Sequence, residues 1–186
     1  LHDEFEKNTN PNLPIGESWE LSAVPKNESI IINGQMKGKT LEDIIVEYKE
    51  LIMGTKVFEK HGHEFPLLVK FIDANDNLSV QVHPNDTYAK KHHNSFGKTE
   101  IWFVLSAKRN ARLIAGLKNS PTKTKLRQAI RNGTLDQYLN YIPVKTGDVI
   151  FIPSGRVHAL LEGTVIAEIQ QTSDITYRIY DFDRTD

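Results

Sequence analysis

The stretch Leu78-Ser-Val-Gln-Val-His83 predicts a β-strand, because polar and apolar residues alternate along it without a break. Successive side chains of a β-strand point to opposite faces of the sheet. Ser79, Gln81 and His83 therefore share one face, and the three apolar residues share the other. A polar face of this kind either meets solvent or lines a cavity, and the alternation alone leaves both possibilities open.

A second alternating stretch, GKTEIWFVL at 97–105, puts Lys98, Glu100 and Trp102 on one face of another strand. His158 follows the turn Pro153-Ser-Gly155 and begins a further strand. Two imidazole nitrogens, one carboxylate and one amide oxygen make a donor set that suits Zn²⁺ or another divalent first-row metal. These donors are Gln81, His83, Glu100 and His158.

The rest of the chain is read as short strands with helices inserted between them. Strands are predicted at 17–24, 29–33, 66–72, 78–83, 99–105, 111–115, 149–152, 158–161, 165–171 and 176–182, with 99–105 and 111–115 as a pair. Helical spacing predicts a helix over 40–53 and a helical insertion over about 120–142. Short strands separated by turn residues are typical of a mainly β antiparallel sandwich or barrel.

Length and composition exclude several classes of protein. The chain has 186 residues, 23 basic and 24 acidic side chains, and a net charge of -1, which argues against nucleic acid or a membrane as a partner. It contains no cysteine, so disulfides and thiolate metal sites are excluded. Residues 1–12 are polar and acidic, unlike a signal peptide, and we expect a cytoplasmic protein. Oligomeric state is not predicted.

Two histidine pairs are interpreted as surface features. His61-Gly-His63 has the spacing of a metal motif but lies between a predicted helix and a strand, which favours a loop. His92 and His93 follow two lysines in a polar stretch, which favours a solvated surface.

The motifs carry a family resemblance. Gly147, Pro153, Gly155 and His158 fit the second motif of the cupin superfamily, although Glu162 stands where that motif has asparagine. The strings LSVQVHPND, GKTEIWFVL, IPSGRVHAL and IAEIQQTSDITYRIYDFDR, together with GESWELS at 16–22, closely resemble type I phosphomannose isomerases over residues 16–184. The resemblance implies a single cupin-like catalytic domain over 1–186, an antiparallel jelly-roll β-barrel, without the family's C-terminal continuation.

The resemblance also implies a zinc-dependent isomerase that interconverts mannose 6-phosphate and fructose 6-phosphate through an enediol or enediolate, with one zinc ion per chain. Each implied role falls on a position that matches a family motif: zinc ligands Gln81, His83, Glu100 and His158; active-site groups Lys98, Arg178 and Glu168; sugar-phosphate contacts Ser79 and Arg184. Either Lys98 or Glu168 could transfer the proton. A non-catalytic metal- and sugar-binding cupin is the alternative. A cupin oxygenase is disfavoured, because Gln81 replaces a histidine.

Overall fold

Two antiparallel five-stranded sheets form the protein in a computed structural model that describes Phe5, Lys7, residues 15–182 and Arg184. The first sheet has the order β1-β2-β9-β4-β7 and the second β10-β3-β8-β5-β6. The strands are Glu17–Leu21 (β1), Leu67–Ala74 (β2), Val80–Val82 (β3), Glu100–Ala107 (β4), Arg112–Leu117 (β5), Leu139–Pro143 (β6), Val149–Ile152 (β7), His158–Ala159 (β8), Thr164–Gln171 (β9) and Tyr177–Tyr180 (β10).

Successive strands of the middle of the chain alternate between the sheets, which is the basis of the sandwich. β2 and β4 lie in the first sheet, whereas β3 and β5 lie in the second. The predicted pairing of 99–105 with 111–115 is therefore wrong, since β4 pairs with β7 and β9. The predicted fold class is confirmed: the protein is a mainly β antiparallel jelly-roll, with two facing sheets in place of a closed barrel.

The main core lies between the sheets. Its members are at most 6% exposed and come from both layers, and they include Ile72, Trp102, Val104, Leu113, Ile152, Leu160 and Ile166. A second apolar cluster includes Val80, Ile114, Leu135, Leu139 and Ala159. Since Leu113 and Ile114 are adjacent in β5 and belong to different clusters, the second sheet is covered on both faces. Full burial of such aliphatic side chains stabilises the fold by about 1.5–3 kcal/mol each.

The helices lie in the connections between strands. They are Leu41–Tyr48 (α1), Glu50–Met53 (α2), Thr55–His61 (α3), Asp86–His93 (α4) and Lys123–Arg131 (α5), with a 3₁₀ turn at Leu135–Tyr138. Thr40 and Asp43 form a capping box that begins α1. The helical segment continues past its predicted end at residue 53, since a further helix, α3, begins directly after Gly54. In the described part of the chain no helix is long and apolar enough to cross a bilayer.

Two segments differ from the prediction for reasons of tertiary contact. Residues 139–143 form β6 and pair with β5, so the predicted insertion is helical only as far as Tyr138. Pairing with a neighbouring strand here overrides a helical spacing of apolar residues. The predicted strand at 29–33 is reduced to one bridge between Ile30 and Thr40, since Ile30 and Ile32 are 61% and 80% exposed and have no core to enter.

Candidate metal centre

Three buried side chains of the types that bind metals meet at one end of the sandwich. His83 directly follows β3 and His158 begins β8, and these two strands are neighbours in the second sheet. Glu100 begins β4 in the facing sheet. His83, Glu100 and His158 are 2%, 1% and 0% exposed, and their ligand atoms lie within 4.8 Å of one another.

The separations between these atoms suit a shared cation. Each oxygen of Glu100 faces one imidazole Nε2, at 3.3 Å for His83 and 3.4 Å for His158. All four atoms are buried without a hydrogen bond of good geometry among the described residues, and only Glu100 Oε1 has an ion-pair contact outside the cluster, with Lys98. An imidazole nitrogen and a carboxylate oxygen 3.3–3.4 Å apart are close enough to bind the same ion through bonds of about 2.1 Å. Unpaired buried polar atoms are costly, so the cluster fits a bound metal.

The outer nitrogen of each imidazole is held by a backbone carbonyl. Nδ1 of His83 lies 2.9 Å from the Ile175 oxygen, and Nδ1 of His158 lies 2.8 Å from the Arg156 oxygen. A carbonyl only accepts, so Nδ1 carries the proton in the neutral ring and Nε2 keeps its lone pair. These two carbonyls thus fix the tautomer that a metal requires.

Electrostatics keep Glu100 and His158 in their metal-binding protonation states. Burial lowers the pKa of His158 to about 4, so this ring is neutral at neutral pH. Burial alone would raise the pKa of Glu100, but the neighbouring His83 and Lys98 outweigh it and lower the pKa to about 2. A neutral imidazole and an ionised carboxylate are the forms that bind metals.

Gln81 and Arg178 are placed beside this cluster by strand register. Gln81 pairs with His158 across β3 and β8, and Arg178 pairs with Gln81 across β10 and β3. Directly opposite residues project to the same face of a sheet, so these three side chains share one face. Gln81 is half-buried and Arg178 is exposed, at the edge of the site.

Lys98 and Glu168 lie next to the cluster on the facing sheet. The Lys98 ammonium is 6% exposed and lies 2.9 Å from Glu100 Oε1. Glu168 pairs with Trp102 across β9 and β4 and accepts a 2.9 Å hydrogen bond from its indole N–H. Burial, and then the charge of Glu100, raise the pKa of Glu168 to about 7 against the opposing effect of Lys98 and Lys70.

The two predicted sugar-phosphate contacts are placed differently. Ser79 is 9% exposed and lies one residue before β3, on the same alternating face as Gln81. Arg184 is exposed and forms ion pairs with Asp181 and, at 3.5 Å, with Asp76. Asp76 lies in the connection that enters β3, whereas His83 follows the other end of that strand. Arg184 is thus placed near the start of β3, and its contact with a sugar phosphate stays a prediction.

Comparison with known proteins gives the family. The sequence pattern described as "Phosphomannose isomerase type I, catalytic domain" matches residues 2–110. The chain belongs to the type I phosphomannose isomerase family. Mannose-6-phosphate isomerase of Streptococcus mutans is 47% identical over 176 residues, which are 95% of this chain and 54% of that protein. The chain thus spans about half the length of the curated relatives it matches.

Solved structures agree with the fold. The mannose 6-phosphate isomerase of Bacillus subtilis superposes with a TM-score of 0.90 and 41% identity, over 100% of this chain and 57% of that one. A mannose 6-phosphate isomerase solved with zinc bound superposes with a TM-score of 0.73 over 100% of this chain and 67% of that one. Its identity is 18%, so this second likeness is one of fold.

None of the other histidines in the described part of this family member belongs to the cluster. His61 ends α3, and the His63 ring lies against Phe58. His93, at the end of α4, is hydrogen-bonded to the Tyr177 hydroxyl. His2 lies outside the described residues.

Sequence reasoning missed two buried polar residues of the facing sheet, Lys70 and Gln170. Lys70 is 8% exposed and pairs with Glu168, and its ammonium lies 4.8 Å from the Trp19 ring centroid. Gln170 is 1% exposed and pairs with Glu100. The only available signal was that 168 and 170 are two apart in a strand and therefore share a face.

Proposed function

We propose that the chain carries the zinc site and active-site groups of a mannose-6-phosphate isomerase, which interconverts mannose 6-phosphate and fructose 6-phosphate. The observation that carries the proposal is the buried group His83, Glu100 and His158, in which two imidazole Nε2 atoms without a hydrogen bond in the described part of the chain face one carboxylate. It occurs in a member of the type I phosphomannose isomerase family. A cytoplasmic location is part of the proposal and is consistent with the absence of cysteine.

The proposed zinc ligands are Gln81, His83, Glu100 and His158. Two nitrogens and two oxygens suit zinc, and His158 and Gln81 are brought side by side by strand pairing. When bound, zinc would act as a Lewis acid that polarises the sugar oxygens at C1 and C2.

We assign the proton transfer to Glu168. Isomerisation removes the proton at C2 and delivers a proton to C1, so one group must act first as a base and then as an acid. A carboxyl whose pKa is about 7 can do both at neutral pH. The indole of Trp102 holds one of its oxygens at 2.9 Å, which fixes its orientation.

Lys98 and Arg178 supply positive charge toward the negative charge that develops on the enediolate oxygens. Lys98 approaches from the first sheet, where it is buried beside Glu100. Arg178 approaches from the second sheet, on the face of Gln81. We assign Ser79 to the sugar phosphate, because it is the next residue on that face. We keep Arg184 as a second proposed phosphate contact, since its ion pair with Asp76 lies at the end of β3 where Ser79 lies.

The test is a coupled assay of fructose 6-phosphate formation by the unsubstituted 186-residue chain, with zinc measured in the same sample. Turnover with one zinc per chain supports the proposal, and His158→Ala should lower zinc content and turnover together. His63→Ala is the matched control, since His63 is exposed and outside the cluster. Binding of mannose 6-phosphate without turnover would identify a non-catalytic sugar-binding cupin, and oxygen consumption would identify an oxygenase.

A further inference from the structure

Gln170 has a buried acceptor without a donor. Its side-chain NH₂ group donates to the backbone oxygens of Gln171 at 3.0 Å and Ser173 at 2.7 Å. Only the nitrogen of an amide can donate to two carbonyls, so these bonds fix which way the amide points. The Oε1 atom on the other side is buried without a hydrogen-bond partner among the described residues. A buried acceptor of this kind calls for a donor from within the site.

The position of Gln170 identifies that donor. Gln170 pairs directly with Glu100 across β9 and β4, so both side chains project toward the metal cluster. The Lys98 ammonium lies 2.9 Å from Glu100 Oε1, and it therefore lies beside the cross-strand pair that Glu100 forms with Gln170. Lys98 carries three N–H donors on a flexible stem.

A metal ion on Glu100 changes what Lys98 can bind. Glu100 would then be shared between a dication and an ammonium on neighbouring positions of one carboxylate. The two positive charges repel each other strongly in a buried site. The ammonium needs another acceptor, and Gln170 Oε1 is uncharged, buried and unpaired. Glu168, whose Oε2 accepts from the Trp102 indole, keeps further lone pairs and is the competing acceptor.

We propose that Gln170 is a positioning residue for Lys98: when Glu100 binds the metal, the Lys98 ammonium donates to Gln170 Oε1. The inference rests on the proposed metal site, and it does not require that Gln170 touch the metal or the sugar. It gives Lys98 two settings, one on Glu100 and one on Gln170, and the second leaves Glu100 to the metal.

The first test is a crystal structure of the unsubstituted chain with zinc bound. Lys98 Nζ should lie within about 3.2 Å of Gln170 Oε1. A Lys98 that stays on Glu100, or that moves to Glu168, would overturn the proposal. This readout needs no turnover, so it stands even where the proposed isomerase activity fails.

The second test compares Gln170→Met with Gln128→Met, a change on the exposed face of α5. Gln170→Met should keep one zinc per chain, with a dissociation constant within about threefold of the unsubstituted chain. Its kcat should fall about tenfold or more while KM stays within about threefold, as for loss of an outer-shell partner. Loss of zinc, or an unchanged kcat, would contradict the role. If Gln170→Met does not fold, the zinc-bound structure decides alone.

Discussion

Replacing Glu168 by glutamine should remove a pH-dependent instability that burial creates. The Glu168 carboxyl is 3% exposed and its pKa is raised to about 7 from an ordinary value of 4.5, chiefly by burial and then by Glu100. The folded state therefore holds this proton more tightly than the unfolded state. The stability that it contributes is complete below pH 4.5 and is lost as the pH rises through about 7.

The magnitude follows from the size of the shift. A rise from 4.5 to about 7 corresponds to about 3 kcal/mol in the free energy of unfolding between the two limits. Between pH 5.5 and pH 8 the linkage relation leaves about 2 kcal/mol of that difference. Glutamine has no proton to lose and still accepts from the Trp102 indole, so Glu168→Gln should gain about 2 kcal/mol relative to the unsubstituted chain over this interval.

The assay is urea unfolding of both chains at several pH values with a chelator present, so that bound metal does not contribute. Glu162→Gln is the control, since Glu162 is exposed and its difference from the unsubstituted chain should stay flat with pH. If the difference in the free energy of unfolding between Glu168→Gln and the unsubstituted chain changes by less than about 0.5 kcal/mol between pH 5.5 and 8, the pKa of Glu168 is not raised. A carboxyl with an ordinary pKa is already ionised throughout this range.

Two further substitutions separate folding, metal binding and catalysis. A Cβ on Gly97 would lie 2.5 Å from the Asp86 nitrogen and 2.6 Å from the Asn85 carbonyl carbon, so Gly97→Ala should displace the start of β4 and weaken zinc binding in a chelator competition. In the control Gly16→Ala the new Cβ would meet an ordinary 3.5 Å contact, so zinc affinity should not change. Equal losses of zinc affinity in the two variants would contradict this prediction. Arg178→Ala should lower kcat by a factor of roughly 10²–10³ while zinc content stays near one per chain, as for loss of one charge-stabilising donor. A variant that loses zinc, or one that keeps full turnover, would contradict the role assigned to Arg178. If the unsubstituted chain shows no turnover, the same change should weaken mannose 6-phosphate binding in calorimetry.

The sequence predicted elements best where one face of a strand was clearly polar. The alternation in 78–83 put Gln81 and His83 on one face, and the structure pairs Gln81 with His158. In TEIWFVL both faces carry large apolar residues, and only the structure shows that Trp102 is 1% exposed whereas Ile101 is 41% exposed. Alternation gives the two faces of a strand, but the facing sheet decides which one is buried.

Long-range placement was the part that sequence could not give. Nothing in SDITYRIYDFDR shows that Arg184 pairs with Asp76, which is far away in the chain. The helix α4 was also missed, because its polar residues carry no apolar periodicity and its start depends on the Asn85 side chain accepting from the Tyr88 N–H. Gln170 resembled any strand glutamine until its register with Glu100 was known.

Anomalous diffraction at the zinc absorption edge, on crystals of the chain grown with zinc, locates the metal directly. We expect one strong peak per chain, with Gln81, His83, Glu100 and His158 as ligands at about 2.0–2.3 Å. A peak between His61 and His63, or a cluster that takes up no zinc while the fold is intact, would contradict this expectation.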